Sequence, residues 1–320
     1  LKKGDYPTLL KAIEQYLDEV TGFGRTKRYG LLFLNNFPIG KIRIDKLTRK
    51  DFADHVKLRR QGVPELGIKP VSASTANNDI QYIRSVFTHA RLVWGMDDIV
   101  KTEIDLATEG LQHARLIAHS KQRSRLPTNE ELQQLTTFFY RKWVNNRGAI
   151  PGHLIMWLAI YSCRRLGELF RLALDDYQED HSAWIIRNLK NPNGSEGNDK
   201  EFSISDKAKP IIDELLSDSV RNRMLHNNTR PKLLLPVTQD AFEPRWREAN
   251  RLIGIEDLKF HDLRHEGATR LAEMGWNIPQ IQQLTLHDSW GSLQRYVNLR
   301  KRPNVLDFEQ AMAVAKATVK

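Results

Sequence analysis

Four short clusters in the second half of the chain carry side chains suited to handling a phosphoryl group. Tyr161-Ser-Cys-Arg164-Arg165-Leu-Gly-Glu168-Leu169 sets two adjacent arginines between an apolar run and an amphipathic stretch in which Leu166, Leu169 and Leu172 face a core. An arginine tethered to a buried element costs desolvation and side-chain entropy, so it should meet an anion. That anion is either an internal carboxylate, Glu168 or Asp176, or one that a substrate brings. His261-Asp-Leu-Arg264-His265-Glu266 puts His261, Arg264 and His265 on one helical face. Two histidines four apart are also a zinc pattern, but zinc-protease helices need Glu directly after the first His. This chain has Asp262 there and no third ligand in view. A bidentate guanidinium beside a titratable imidazole suits a phosphate better. The remaining clusters are His287-Asp-Ser-Trp and Leu293-Gln-Arg-Tyr296-Val. Taken singly they read as an ordinary polar residue and a half-buried aromatic. Lys190 ends one predicted strand and Lys200 opens the next.

Together these residues fit phosphoryl transfer without a metal. A phosphodiester passing through a pentacoordinate state gains charge on its non-bridging oxygens, and two guanidinium groups can hold that charge. The 5′-oxygen is a poor leaving group until an acid protonates it, which a desolvated lysine can do. A phenol with a pKa near 10 must lose its proton on attack, so a nearby imidazole helps.

The elements that must position this set follow from pattern and composition. At 320 residues, with 40% apolar and 28% charged, the chain suits two domains with sizeable cores. Lys and Arg outnumber Asp and Glu by 49 to 39, a net charge of +10 that suggests a polyanionic partner. One cysteine, Cys163, excludes an intrachain disulfide and a thiolate zinc cage and fits a reducing compartment. No apolar run approaches the roughly 20 residues of a membrane span, and no signal-peptide pattern follows Leu1.

The first part reads as helical. Leu9, Leu10, Ile13, Tyr16 and Leu17 recur at helical spacing, Thr48 caps a helix carrying Phe52, Val56 and Leu58, and a longer helix from Ser72 or Ser74 aligns Ile80, Ile83, Phe87 and Ala90. In the second part, helices are expected over 128–143, 152–162, 165–174, 206–218, 239–253, 262–274 and 305–319. Short strands are expected at Ala183–Arg187 and Glu201–Ile204, joined by a polar loop. The expected organisation is a helical domain over 1–112, a basic linker over 113–126 and an α+β domain with a small sheet over 127–320. Lys41, Arg43, Lys46, Arg49, Lys50, Arg59, Arg60, Lys121, Arg123 and Arg125 are candidate DNA contacts. A charge run of this kind is otherwise a solvated face.

In order and spacing, the four clusters resemble the tyrosine recombinase (phage integrase) family. Its Arg-x-x-Glu-Leu motif is similar to Arg165-Leu-Gly-Glu168-Leu169, and its His-x-Leu-Arg motif to His261-Asp-Leu-Arg264, followed by the frequent His265. Its last His stands nine residues before the nucleophile, as His287 stands before Tyr296. The hairpin lysine resembles Lys190, with Lys200 as the alternative. Two departures stand out. Arg164 occupies a position that is usually apolar, and Leu286 replaces the glycine that commonly precedes the last His.

The resemblance implies an all-α, SAM-like core-binding domain followed by an α+β catalytic domain with a small antiparallel sheet. It implies that Arg165 and Arg264 clamp the scissile phosphate, Lys190 is the general acid, His261 assists proton transfer and His287 bonds a phosphate oxygen. Glu168 and His265 would support them, and Tyr296 would form a 3′-phosphotyrosyl bond without metal or ATP. Its partners would be double-stranded DNA with inverted-repeat core sites, three further copies of itself around a Holliday junction, and a possible DNA-bending protein. The setting would be the bacterial cytoplasm, with a C-terminal helix in 304–320 docking on a neighbour or on its own domain. The outcome would be integration, excision or inversion of a mobile segment. Two other readings stay open: a type IB topoisomerase-like nicking enzyme, and a DNA-binding regulator that does no chemistry.

Overall fold

The computed structural model describes residues 6–96, 98–120, 123–189, 197–226, 230–287, 293–294 and 301–319. The chain divides into two compact units, Leu1–Gln122 and Arg123–Lys320.

The first unit is helical. Its α-helices are α1 (Leu9–Glu19), α2 (Arg25–Phe33), α3 (Arg49–Gln61), α4 (Ala73–Leu92) and α5 (Asp98–His113). The expected caps are present: Thr48 and Asp51 form a capping box at α3, and Ser72 accepts from the Thr75 amide at the start of α4. The core gathers Leu9, Ile13, Leu31, Phe52, Val56, Ile80, Ile83, Phe87 and Ile104. Phe52, His55, Val56 and Arg59 share the inward face of α3. Arg59 therefore departs from its expected role as a DNA contact. Its guanidinium is buried, its Nε donates to Asp79 at 2.6 Å, and it lies over the rings of Phe33 and Phe37. A position one helical turn beyond Val56 on an inward stripe has no route to solvent. Helices α2 and α5 were not foreseen. The first is polar and has Gly30 mid-helix, and the second starts at Asp98, shortly after α4 ends at Leu92.

The second unit is α+β. It contains α6 (Asn129–Asn145), α7 (Gly152–Ser162), α8 (Leu166–Leu169), strands β1 (Tyr177–Gln178), β2 (Ala183–Ile186) and β3 (Lys200–Ser203), then α9 (Lys209–Leu216), α10 (Asp218–Leu225), α11 (Gln239–Ile253), α12 (His261–Glu273), α13 (Ile278–Thr285) and α14 (Phe308–Thr318). The antiparallel sheet runs in the order β1-β2-β3, with Trp184 opposite Phe202 and Ile186 opposite Lys200. Helix α7 is buried on every side, and α12 is buried from Asp262 to Arg270. These two helices form the centre of the unit.

Three expectations shift. The helix expected over 165–174 is a single turn followed by a 3-10 turn at Leu174–Asp176, because Leu172 and Leu174 bond across to Leu234 and Lys232. The helix expected over 206–218 breaks at Ser217, and α10 follows it. The short α13 was overlooked although Asn277 caps it and Pro279 sits in its first turn.

The expected linker is shared between the units. Ile117 belongs to the first core. Arg123 bonds Asp257 and Asp262, with Nε–Oδ1 of the latter at 2.7 Å, and Arg125 pairs with Glu131. Both cations are paired with carboxylates in this structure, one set of them more than 130 residues away in sequence. Lys121 lies outside the described residues. Helix α14 packs on α6 of its own unit, burying Ala311, Met312 and Ala315, and Gln133 donates to the Ala311 carbonyl at 3.0 Å.

Candidate active site

Helices α7 and α13 end side by side in residues that turn left-handed, Cys163 (φ 52°) and Leu286 (φ 54°). Helix ends leave carbonyls without intrahelical partners and carry the negative end of the helix dipole. Two arginines take up these carbonyls, each bridging both helices. Arg264, on α12, donates to Cys163 O at 2.9 Å and Thr285 O at 2.7 Å. Arg164 donates to Ser162 O at 3.0 Å and also to Leu284 O. Both side chains are almost fully buried.

Glu168, on α8, sits between the cations. Its carboxylate accepts from Arg165 Nη1 at 2.6 Å and from the Arg165 amide at 3.1 Å, and it lies 3.5 Å from Arg264 Nη1 and 3.7 Å from Arg164 Nη1. Burial pushes this carboxyl's pKa upward, but the three guanidinium groups outweigh burial and hold it below the usual range. Arg165 differs from its neighbour: its side chain is 44% exposed, so it is the guanidinium of the pair open to a ligand.

Helix α12 can come this close to α7 because residue 267 is glycine. A Cβ there would stand 2.0 Å from Ile160 O and 2.7 Å from Cys163 Sγ. At the head of α12, Asp262 is locked by Arg123 and by the Lys259 amide at 2.8 Å, which fixes the helix start. His261 is exposed there, with its ring edge-on to His265 at 4.9 Å. Its pKa is lowered by desolvation and by Arg264 and Arg165, so at neutral pH it is an unprotonated base. His287 follows α13. Its Nδ1 lies 2.7 Å from Thr285 Oγ1, its Nε2 lies 3.1 Å from Arg264 Nη2, and Gln282 donates to its carbonyl at 2.9 Å. Burial first and then Arg264 and Arg165 push its pKa to about 2. Burial and the neighbouring Arg164 and Arg165 also lower the Arg264 guanidinium to about 9. The cluster therefore carries more positive charge than Glu168 balances.

The structure thus brings together Arg165, Glu168, Arg264, His261, His265 and His287. Lys190 and Tyr296 lie outside the described residues. Lys200 opens β3, paired with Ile186. The supports that sequence reasoning missed are the carbonyls of Cys163, Leu284 and Thr285, the Thr285 hydroxyl and Gln282. Backbone carbonyls leave no mark in a sequence, although the Asn277 cap announced the helix that presents two of them.

This arrangement on a helical and α+β chain defines a DNA strand-transferase fold. The chain belongs to the phage integrase family, whose model matches residues 126–302. Among curated proteins it is 26% identical to the shufflon-specific DNA recombinase of Escherichia coli over 92% of this chain and 69% of that protein. Its fold is similar to the Tn1549 transposon integrase in complex with circular intermediate DNA (TM-score 0.65, 14% identity, 96% of this chain and 98% of that chain). It is also similar to a lambda integrase tetramer bound to a Holliday junction (TM-score 0.59, 15% identity, 95% of this chain and 82% of that chain).

Proposed function

We propose that this chain is a site-specific DNA recombinase that cuts and rejoins strands through a 3′-phosphotyrosyl bond on Tyr296. The observation that carries the reading is the cluster of Arg164, Arg165 and Arg264 around one buried carboxylate, with only the Arg165 guanidinium open to solvent. A scissile phosphate would supply the missing negative charge, bonded by Arg165 from the open side and by Arg264 from the inner side. Arg264 Nη2, now shared with His287, would turn to the phosphate, and His287 would take a second oxygen. His261, held neutral, would receive the phenol proton. Lys190, between β2 and β3 in sequence, with Lys200 as the alternative, would protonate the departing 5′-oxygen. That hydroxyl would then attack the partner strand's phosphotyrosyl bond and restore the phosphodiester, so the chemistry draws on no external energy source.

Double-stranded DNA with inverted-repeat core sites is the substrate in this reading, and four copies would assemble around a Holliday junction. The exposed Lys41, Arg43, Lys46, Arg49, Lys50 and Arg60 are the candidate backbone contacts of the first unit. Similarity to a shufflon-specific recombinase along most of the chain favours inversion over integration. Helix α14 would exchange its seat on α6 for a neighbour's on assembly.

The test is trapping on a nicked suicide duplex carrying the native crossover site, with EDTA and Tyr296→Phe controls. The expected result is a 3′-linked protein–DNA adduct that survives EDTA and disappears with Tyr296→Phe. Tight binding to a verified site with no adduct from the unaltered protein would make the chain a regulator.

A further inference from the structure

A second group of charges on α12 takes no part in the phosphate site. Glu266 and Glu273 are seven residues apart, on one stripe of the helix, and both carboxylates are almost fully buried. One guanidinium bridges them. Arg302 donates from Nη1 to Glu266 Oε2 at 3.0 Å, from Nη2 to Glu266 Oε1 at 3.1 Å, from Nε to Glu273 Oε1 at 2.7 Å and from Nη2 to Glu273 Oε2 at 3.0 Å. Its backbone amide adds a contact to Glu273 at 3.3 Å. Arg270 completes the group by donating to Glu266 at 2.7 Å.

The chain beyond Arg302 is pinned twice more. The Asn129 side chain donates to Asn304 O at 2.9 Å and accepts from the Leu306 amide at 3.0 Å, and Tyr161 Oη accepts from the Phe308 amide at 2.9 Å. Residues 302–308 form a strap fastened to α12, α6 and α7. A cavity of about 550 Å³ lies beside the strap, bordered by Arg302, Pro303, Val305 and Asp307. Tyr296 stands six residues upstream of Arg302, a reach of at most about 20 Å.

We propose that Arg302, clamped between Glu266 and Glu273, is a positioning residue for the nucleophile, tying the segment that bears Tyr296 to the helix that carries His261 and Arg264. This rests on the reading of Tyr296 given above. A buried ion-pair group adds little stability over an apolar one of the same volume. What a two-carboxylate fork adds is a fixed angle and register for the chain leaving it. Attack by a phenol in line with its leaving group is sensitive to displacements of this kind.

The experiment compares unaltered protein with Tyr296→Phe, Arg302→Ala, Arg302→Lys and the reversed pair Arg302→Glu with Glu273→Arg. It reads duplex affinity, melting temperature and the rate of adduct formation at saturating nicked duplex. Arg302→Ala should slow the saturated rate about tenfold or more, with affinity within about twofold, and the reversed pair should recover most of the loss. If Arg302→Ala does not fold, Arg302→Lys, which keeps the charge and loses the fork, should still slow the saturated rate. A saturated rate that equals the unaltered protein's in every folded Arg302 variant would overturn the proposal. So would a loss traced wholly to weaker binding or unfolding. Loss of the adduct in Tyr296→Phe with unchanged Arg302 variants would sink the clamp alone, whereas an adduct that persists in Tyr296→Phe would sink the nucleophile assignment with it.

Discussion

One added methyl group at Gly267 should disable the site without touching a residue that carries charge. The Cβ of Gly267→Ala would stand 2.0 Å from the Ile160 carbonyl oxygen and 3.0 Å from its carbon. A comfortable carbon–oxygen contact is about 3.3 Å, so the two helices must part by roughly 1 Å. The obstacle is backbone at the end of α7, which no rotamer change can clear. Arg264 lies one turn earlier on α12, and its bonds to Cys163 O and Thr285 O are 2.9 and 2.7 Å. A retreat of about 1 Å from α7 takes the bond to Cys163 O past hydrogen-bond range and breaks the bridge between the two helix ends.

The expected cost is about 1–3 kcal/mol of stability from overpacking. Adduct formation should slow about 100-fold in the fraction that remains folded, equal to about 2.7 kcal/mol of transition-state stabilisation. The assay is single-turnover trapping at saturating duplex, paired with thermal unfolding. Gly110→Ala is the control: Gly110 lies on the exposed side of α5 with nothing within 4 Å of an added Cβ, and the change should stabilise by about 0.5–1 kcal/mol. If Gly267→Ala traps DNA within threefold of the unaltered rate, the approach of α12 to α7 does not set Arg264, and the reasoning fails.

The adjacent arginines should separate cleanly. Arg165→Ala should lower adduct formation about 10²–10³-fold with little change in melting temperature. Arg164→Ala, which strips a buried cation from two helix ends, should cost about 3–5 kcal/mol of stability in denaturant titrations; the opposite ranking would exchange their roles. His153 is buried, and burial lowers its pKa to about 3. The unfolded chain therefore binds the extra proton below about pH 6.5, and the stability His153 contributes is full above that pH and falls by about 1.4 kcal/mol per unit beneath it. Melting curves from pH 7 to 5 should show this slope in the unaltered protein and a shallower one in His153→Leu. In the first unit, Arg59→Ala should destabilise by about 3 kcal/mol by leaving the buried Asp79 without its guanidinium and facing His55 instead, whereas Arg43→Ala should change unfolding by less than about 0.5 kcal/mol.

The grouping of Arg165, Glu168, His261 and Arg264 was legible in the sequence because these residues come in tight local pairs. Arg165 with Glu168, and His261 with Arg264, lie one helical turn apart and announce a shared face. Two capping boxes, at Thr48 and Thr128, fixed helix starts to the residue. What stayed hidden depends on long-range partners. Arg59 and Arg123 read from the sequence as candidate DNA contacts, and the carboxylates they meet, Asp79, Asp257 and Asp262, lie 20 to 139 residues away. The break of the helix expected over 165–174 comes from bonds to residues 232 and 234, which no local pattern encodes. The strap at 302–308 is hidden for the same reason, since Glu273 and Asn129 are its anchors.

The departure at Arg164 has a physical account that bears on the whole site. Where an apolar residue would leave the carbonyls of Ser162 and Leu284 to other partners, this chain buries a guanidinium on them and matches the grip of Arg264 on Cys163 and Thr285. The two helix ends and Glu168 together neutralise part of the charge of three arginines. Burial first, and then the positive charge that remains, lowers the pKa values of Arg264 and His287. An anion arriving at Arg165 would relieve that repulsion, so the site is organised before the substrate is bound and gains from its charge when it is. Adding Arg164 raises this excess. Trading it for an apolar residue of similar volume, Arg164→Met, should therefore weaken the site's hold on a phosphodiester even where the fold tolerates the exchange. Duplex affinity measured against salt concentration should fall while its slope stays the same, because Arg164 touches no phosphate itself.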